Sequence, residues 1–355
     1  MTRIAVVGAT TWGITLAAVL ARKDVDLRIL ARTEDEAAMT RASVFRTPRL
    51  PEGFVLPKGI SVTADGAEAL QNTDAIIVAV PSQSMRRNMK LIAPHIGKRT
   101  LIISAAKGLE VETGKRMSEI IAEETRKDIH DNITVLSGPN LAWEILAGRP
   151  AVTVIAAEKE SRARRGAKLM TVPDFCAFTN TDMIGVELGG ALKNIIALGA
   201  GIVDGLGYGD NTKAAFMTRG LTEITALGTA LGANPLTLAG LAGQGDLIAT
   251  CSSKLSRNHQ VGARLTRGES LEHIQATMNG IAEGVTTTLV AWKLAQQMGI
   301  EMPITERLYR VLYHGDDVRA TAKELMAAAA THELAGRKWG LFSLFRRRKK
   351  PEIAF

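Results

Sequence analysis

The 355-residue chain is predicted to fold as a doubly wound α/β sheet followed by an all-α domain. Short apolar runs recur through its first half with helical patterns between most of them. A glycine-bounded turn follows the first run, and strand signals stop after about residue 180. Buried-type strands alternating with helices argue for a parallel sheet covered on both faces.

The elements follow in order. Residues 3–7, RIAVV, form the first strand, and the spacing of Trp12, Leu16, Val19 and Leu20 predicts a helix directly after it. A second run at 25–30 comes at the interval of a β-α-β crossover. Further strands are expected at 75–80, 100–104, 133–136 and 151–155, while 46–59, with three prolines and two glycines, reads as an irregular excursion. Beyond residue 180, "DMIGVELGGALKNIIALGAGIVDGL" is apolar and rich in small residues at helical spacing, and helical patterns continue to about 335. The expected division is 1–180 nucleotide-binding, 181–335 helical and catalytic, and 336–355 a basic amphipathic tail.

The composition, 46% hydrophobic with 4% aromatic residues, suits a globular protein of about two domains. Cys176 and Cys251, 75 positions apart, form neither a disulfide framework nor a metal-ligand spacing, so no metal site is expected and a reducing compartment is the default. The opening "MTRIAVVG" has no secretory pattern, and no unbroken apolar stretch approaches a membrane span, which predicts a cytosolic protein. Of the net charge of +8, residues 337–355 hold +6. The nearly neutral body offers no basic face for a nucleic acid.

The turn Gly8-Ala9-Thr10-Thr11-Trp12-Gly13 is the nucleotide candidate, because a helix that starts after strand one offers free N–H groups and a positive dipole end to a pyrophosphate. Thr10 stands where the G-x-G-x-x-G fingerprint has its second glycine. Arg32 ends the second strand with no carboxylate before Glu34, which favours NADP(H), or use of both NADP(H) and NAD(H). Lys107 in "SAAKGLE" and the turn in "SGPNLAWE" both follow strands, at the sheet edge where such folds bind ligands. Lys193 is the most informative residue: its helix neighbours are glycine, leucine and isoleucine, and burial among them would lower its pKa and let it exchange a proton near neutrality. Asp246, Thr250, Ser256, Arg257 and Asn258 collect in a hydroxyl-rich segment where the arginine can grip a phosphate, and Glu283 lies between small residues in "NGIAEGVTT".

In this order the segments "GATTWG", "VPS", "SAAKGL", "SGPNLAWE", "ELGGALKN", "GDNTKAAFMTRG", "GQGDLIATC", "LSRNHQVG" and "AEGVTT" resemble bacterial NAD(P)-dependent glycerol-3-phosphate dehydrogenases, over Ile4 to about Ala335. The resemblance implies a Rossmann-type domain plus a helical domain like the C-terminal one of 6-phosphogluconate dehydrogenase. The implied reaction is reversible reduction of dihydroxyacetone phosphate to sn-glycerol 3-phosphate, the backbone precursor of phospholipids. It implies Lys193 as proton donor and acceptor, and Lys107, Gly138, Asn140, Asp246, Thr250, Ser256, Arg257 and Asn258 as substrate contacts. Gly8, Thr10, Thr11, Trp12, Gly13, Arg32, Lys107, Ala142, Arg257, Ile281 and Glu283 would contact NADP(H) or NAD(H), and a homodimer is expected.

Two features depart from the family pattern. Thr10 replaces its usual glycine, so either the backbone stands farther from the pyrophosphate or the hydroxyl donates a hydrogen bond instead. The tail places Trp339, Leu341, Phe342, Leu344 and Phe345 before "RRRKK", an arrangement that suits an anionic membrane surface. A related β-hydroxyacid dehydrogenase would share the fold and a Lys-Asn pair, and Thr10 would suit a non-catalytic NAD(P)-binding sensor. "SRN" with "GDNTKAA" argues against the first, and the retained Lys107, Lys193, Asp246, Arg257 and Asn258 argue against the second.

Overall fold

The computed structural model describes residues 1–44 and 50–328; the basic tail lies outside them. Eight strands form one sheet: β1 (Thr2–Val7), β2 (Val25–Leu30), β3 (Ile60–Thr63), β4 (Ala75–Val78), β5 (Leu101–Ser104), β6 (Ile133–Ser137), β7 (Ala151–Ala156) and β8 (Phe175–Asn180). Their order is 3-2-1-4-5-6-7-8. The first six thus take the doubly wound order of dinucleotide-binding sheets, with the chain reversing direction across the sheet between β1 and β4. Alternation sends Ile4 and Val6 of β1 to one face, with Leu16, Leu20 and Ile77, and Ala5 and Val7 to the other, with Ile76, Met85 and Met89. Because both faces are covered, the central strands β1, β4 and β5 read as nearly continuous apolar runs.

Three details differ from the sequence expectation. β3, with the sequence ISVT, and β8, an edge strand exposed along much of its length, lack a sufficient apolar run. The third main strand stops at Val78 rather than residue 80. The sheet is also not wholly parallel, since β7 runs antiparallel to β6 and β8 follows β7. The link from β6 to β7 contains only a five-residue helix (Ala142–Leu146), which packs beside the first helix (Thr11–Leu20) instead of crossing back over the sheet. The chain therefore re-enters the sheet from the edge it left.

A single long helix, Met183–Gly205, organises the second half; Asp182 caps it by accepting the Gly185 N–H at 2.9 Å. It is apolar nearly all round because other helices surround it, and eighteen of its 23 residues are buried. Among the described residues it is the only helix with the length and composition of a membrane span, and core burial accounts for both. Helices Gly209–Ala230, Asp246–Ser252, Arg257–Leu265 and Glu283–Met298 pack against it. Close approach requires glycine here: a Cβ on Gly201 would lie 2.0 Å from the His259 carbonyl oxygen.

The long helix also fastens the two halves. Its Glu187 accepts hydrogen bonds from the Ser118 N–H at 2.8 Å, the Ser118 hydroxyl at 2.6 Å and the Arg116 guanidinium at 2.6 Å. Both charged side chains are largely buried, so the clamp fixes the long helix against the sheet at a defined register.

Candidate active site

The carboxyl edge of the sheet opens beside β1 and β4, where Gly8 takes a left-handed φ of +108° to turn the chain into the first helix. A Cβ on Gly13 would lie 2.0 Å from the Gly8 carbonyl oxygen, so only glycine permits this approach of helix to strand. Thr10 is the N-cap, in extended conformation with φ −74°. Its hydroxyl accepts the Gly13 N–H at 3.0 Å and donates to the Ala79 carbonyl at 2.8 Å. Ile14 N–H bonds Thr10 O, which leaves the Thr11 and Trp12 N–H groups without a partner among the described residues. Two open donors at a helix N-terminus, in a cradle that a Cβ would fill, fit a pyrophosphate. Trp12 adds a wall by donating its indole N–H to the Ala105 carbonyl at 3.2 Å. Arg32 stands apart at the end of β2, exposed, with Glu36 as its neighbour.

Three charged side chains meet where the long helix faces this crevice. Lys193 reaches Asp246 Oδ1 at 3.1 Å and the Thr250 hydroxyl at 2.6 Å, while Lys107, from the loop after β5, reaches Asp246 Oδ2 at 2.7 Å and the Gly138 carbonyl at 2.9 Å. The geometry begins with Leu241–Gly245, a π-helical turn that delivers Asp246 to the start of its helix; one turn on, Thr250 faces the same way and donates to Asp246 at 3.1 Å. Burial lowers the Lys193 pKa to about 8, with the Asp246 carboxylate opposing that shift and Lys107 adding to it. For Asp246, burial acts upward, but the two ammonium groups prevail and hold it below the usual carboxylate range. The result is a buried amine able to carry or release a proton near neutral pH.

A second set of contacts holds the neighbouring segments in place. Asn258 donates to Asn194 Oδ1 at 2.8 Å and accepts the Gly284 N–H at 2.8 Å, tying the long helix to the start of helix Glu283–Met298. Ser256 caps helix Arg257–Leu265 by accepting the His259 N–H at 3.3 Å. Arg257, the first residue of that helix, has no hydrogen-bond or ion-pair partner among the described residues; burial lowers its pKa, with Glu283 acting against the shift. Glu283 accepts the Ser82 N–H at 3.0 Å and the Ser82 hydroxyl, and burial raises its pKa against those bonds. Lys107, Lys193 and Arg257 outnumber Asp246 and Glu283, so the crevice carries excess positive charge suited to a phosphate.

The structure thus gathers Lys107, Gly138, Lys193, Asp246 and Thr250 at one point, with Ser256, Arg257, Asn258 and Glu283 on the adjoining wall. Asn140 directs its amide to β7, donating to the Val152 carbonyl at 2.8 Å and accepting the Thr153 hydroxyl at 2.9 Å. Ala142 begins the short helix beside the first helix, and Ile281 is exposed just before Glu283. Sequence reasoning did not single out Ser82, Asn194 as a bonded partner of Asn258, or the Glu187 clamp. A serine directly after Val-Pro at the end of a central strand was the available signal for the first.

A doubly wound sheet with a phosphate-cradling first turn, facing a helix that presents a buried lysine, defines an NAD(P)-dependent dehydrogenase. The chain belongs to the NAD-dependent glycerol-3-phosphate dehydrogenase family: the family's N-terminal model matches residues 3–163 and its C-terminal model residues 182–323. It is 58% identical, over 99% of both chains, to a Dehalococcoides mccartyi protein named glycerol-3-phosphate dehydrogenase (NAD(P)+). A protein of the same name from Moorella thermoacetica is 45% identical over 95% of this chain and 99% of its own. The crystal structure of glycerol-3-phosphate dehydrogenase from Coxiella burnetii superposes with a TM-score of 0.85 at 34% identity, covering 92% of this chain and 98% of the other.

Proposed function

We propose that the protein reversibly reduces dihydroxyacetone phosphate to sn-glycerol 3-phosphate with NADPH or NADH, and that Lys193 moves the proton. The observation that carries this reading is the buried Lys193 ammonium, held between Asp246 and Thr250 where the long helix faces the crevice. When bound, the reduced nicotinamide supplies a hydride to the carbonyl carbon. Lys193 then gives a proton to the oxygen that becomes negative, and in the oxidative direction its free amine takes the hydroxyl proton back. Asp246 holds the ammonium in place, and Thr250 restricts its rotation.

Arg257, aided by Asn258 and Ser256, anchors the phosphate, so the ketone is fixed by binding energy from a group that does not react. Lys107, Gly138 and Asn140 border the substrate from the sheet side. Gly8, Thr10, Thr11, Trp12 and Gly13 receive the pyrophosphate, Arg32 the adenosine end, and Lys107, Ala142, Arg257, Ile281 and Glu283 the nicotinamide side. The test is to follow NADPH and NADH absorbance with purified protein and dihydroxyacetone phosphate. Absence of turnover with both, in a folded protein that binds NADPH, would refute the assignment.

Four coarser features complete the proposal. The division between nucleotide and helical domains falls near residue 181, between the end of β8 and the cap of the long helix. The protein works in the cytoplasm, as a homodimer, which sedimentation analysis would test. Its tail, residues 336–355, rests on anionic membrane, and failure to co-sediment with anionic vesicles at low salt would remove that part.

A further inference from the structure

Two opposite charges meet at the end of β2. Arg32 extends into solvent there, its side chain 73% exposed. The helix that follows, Glu34–Arg41, is capped by Thr33, whose hydroxyl accepts the Glu36 N–H at 3.2 Å. In the usual reciprocal cap the glutamate would return to the N-cap N–H. Here its carboxylate passes Thr33 and accepts the N–H of Arg32 at 2.7 Å, with its other oxygen 3.8 Å from the Arg32 guanidinium. A carboxylate is therefore pinned at the strand end, where the linear sequence offers only an arginine. The remaining charges around it are Glu34, drawn to Arg41, and Asp35, which is exposed with no side-chain partner among the described residues.

We infer that Glu36 is a cofactor-discriminating residue: it supplies the acceptor for the adenosine ribose 2′-hydroxyl that the strand end lacks, and it opposes a 2′-phosphate that Arg32 attracts. The inference rests on the reading that the adenosine end of the cofactor lies at Arg32. Acid at the end of the second strand suits NAD and arginine suits NADP, and this chain places one of each within reach of a single ribose. Their opposition makes the site accept both cofactors, with Glu36 setting the balance.

Glu36→Gln separates charge from structure, because the glutamine amide oxygen still accepts the Arg32 N–H and keeps the cap. Dissociation constants for NADPH and NADH, measured by titration calorimetry, provide the readout, together with 2′,5′-ADP and 5′-AMP as probes of the adenosine end alone. For a partly screened like-charge contact at the surface, the NADPH-over-NADH affinity ratio should rise about five- to tenfold in Glu36→Gln. Arg32→Ala should lower that ratio about tenfold, and Asp35→Asn, one position away in the same helical turn, should move it less than about twofold. An unchanged ratio in Glu36→Gln while Arg32→Ala responds would overturn the role of Glu36 alone. Equal shifts from Glu36→Gln and Asp35→Asn would overturn it too, reducing it to bulk charge. No response to Arg32→Ala would overturn the placement of the adenosine end, and the inference with it.

Discussion

Replacing Asp246 with asparagine removes the one negative charge that two lysines share. Lys193 Nζ lies 3.1 Å from one carboxylate oxygen and Lys107 Nζ 2.7 Å from the other, and neither lysine side chain is more than 17% exposed. A unit pair at that separation is worth about 5 kcal/mol at an effective dielectric of about 20. Lys107 neutralises part of that attraction, and water admitted beside the asparagine weakens the rest, leaving about 2–3 kcal/mol in favour of protonated Lys193. In the native protein Lys193 titrates at about 8, so ketone reduction should hold a plateau at lower pH and fall as the ammonium loses its proton above that value. Alcohol oxidation needs the free amine and should climb through the same region.

Burial pushes Lys193 down and Asp246 pushes it up, so the Asp246→Asn substitution must move both limbs to lower pH. At pH 8 the protonated fraction should fall roughly 15- to 80-fold, each 1.4 kcal/mol being about a factor of ten. The assay is the pH profile of kcat/KM in both directions, with circular dichroism to establish that the variant is folded. A reduction limb that stays where it was, or moves to higher pH, would show that Asp246 does not sustain the charge on Lys193.

Lys193→Ala should bind NADPH within about threefold of the native protein yet lose about a thousandfold in turnover, the range of a missing general acid; activity within tenfold of native would rule out its role. Thr10→Gly removes the bonds to Ala79 and Gly13, so denaturant titration should register a loss of about 1–2 kcal/mol. NADPH affinity should change less than about threefold, because the hydroxyl faces the protein. Gly13→Ala forces a Cβ to 2.0 Å from the Gly8 carbonyl oxygen and must spread the turn, so calorimetry should detect no NADPH binding. Glu187→Ala leaves the largely buried Arg116 with only Glu119 and Ser118, and should lower stability by about 3 kcal/mol in chemical denaturation.

What the sequence made legible follows from what each residue can record alone. β1 and β4–β7 announce themselves because strands covered on both faces are apolar at most positions, and β2 does so through Val25, Leu27, Ile29 and Leu30 despite Asp26 and Arg28. β8 escapes because one of its faces meets solvent, and the reversal at β7 escapes because periodicity carries no direction. Lys193 was legible because an ammonium among glycine, leucine and isoleucine demands compensation. That its partner is shared was not: Asp246 lies 53 residues from Lys193 and 139 from Lys107, and no property of a lone aspartate says that it serves lysines from both halves of the chain. Ser82 and Glu283 meet across 201 residues in the same way.

Thr10 shows the same limit at short range. The sequence left open whether its backbone stands back from the pyrophosphate or its hydroxyl donates a bond. The hydroxyl does donate, but to Ala79, 69 residues on, and it takes the Gly13 N–H in return. A φ of −74° requires no glycine at this position, so the side chain can serve as an ordinary N-cap while the Thr11 and Trp12 N–H groups remain open. The departure from the glycine pattern thus secures the turn from the sheet side, and the demand for glycine falls on Gly8, by its φ, and on Gly13, by its contact with the Gly8 carbonyl.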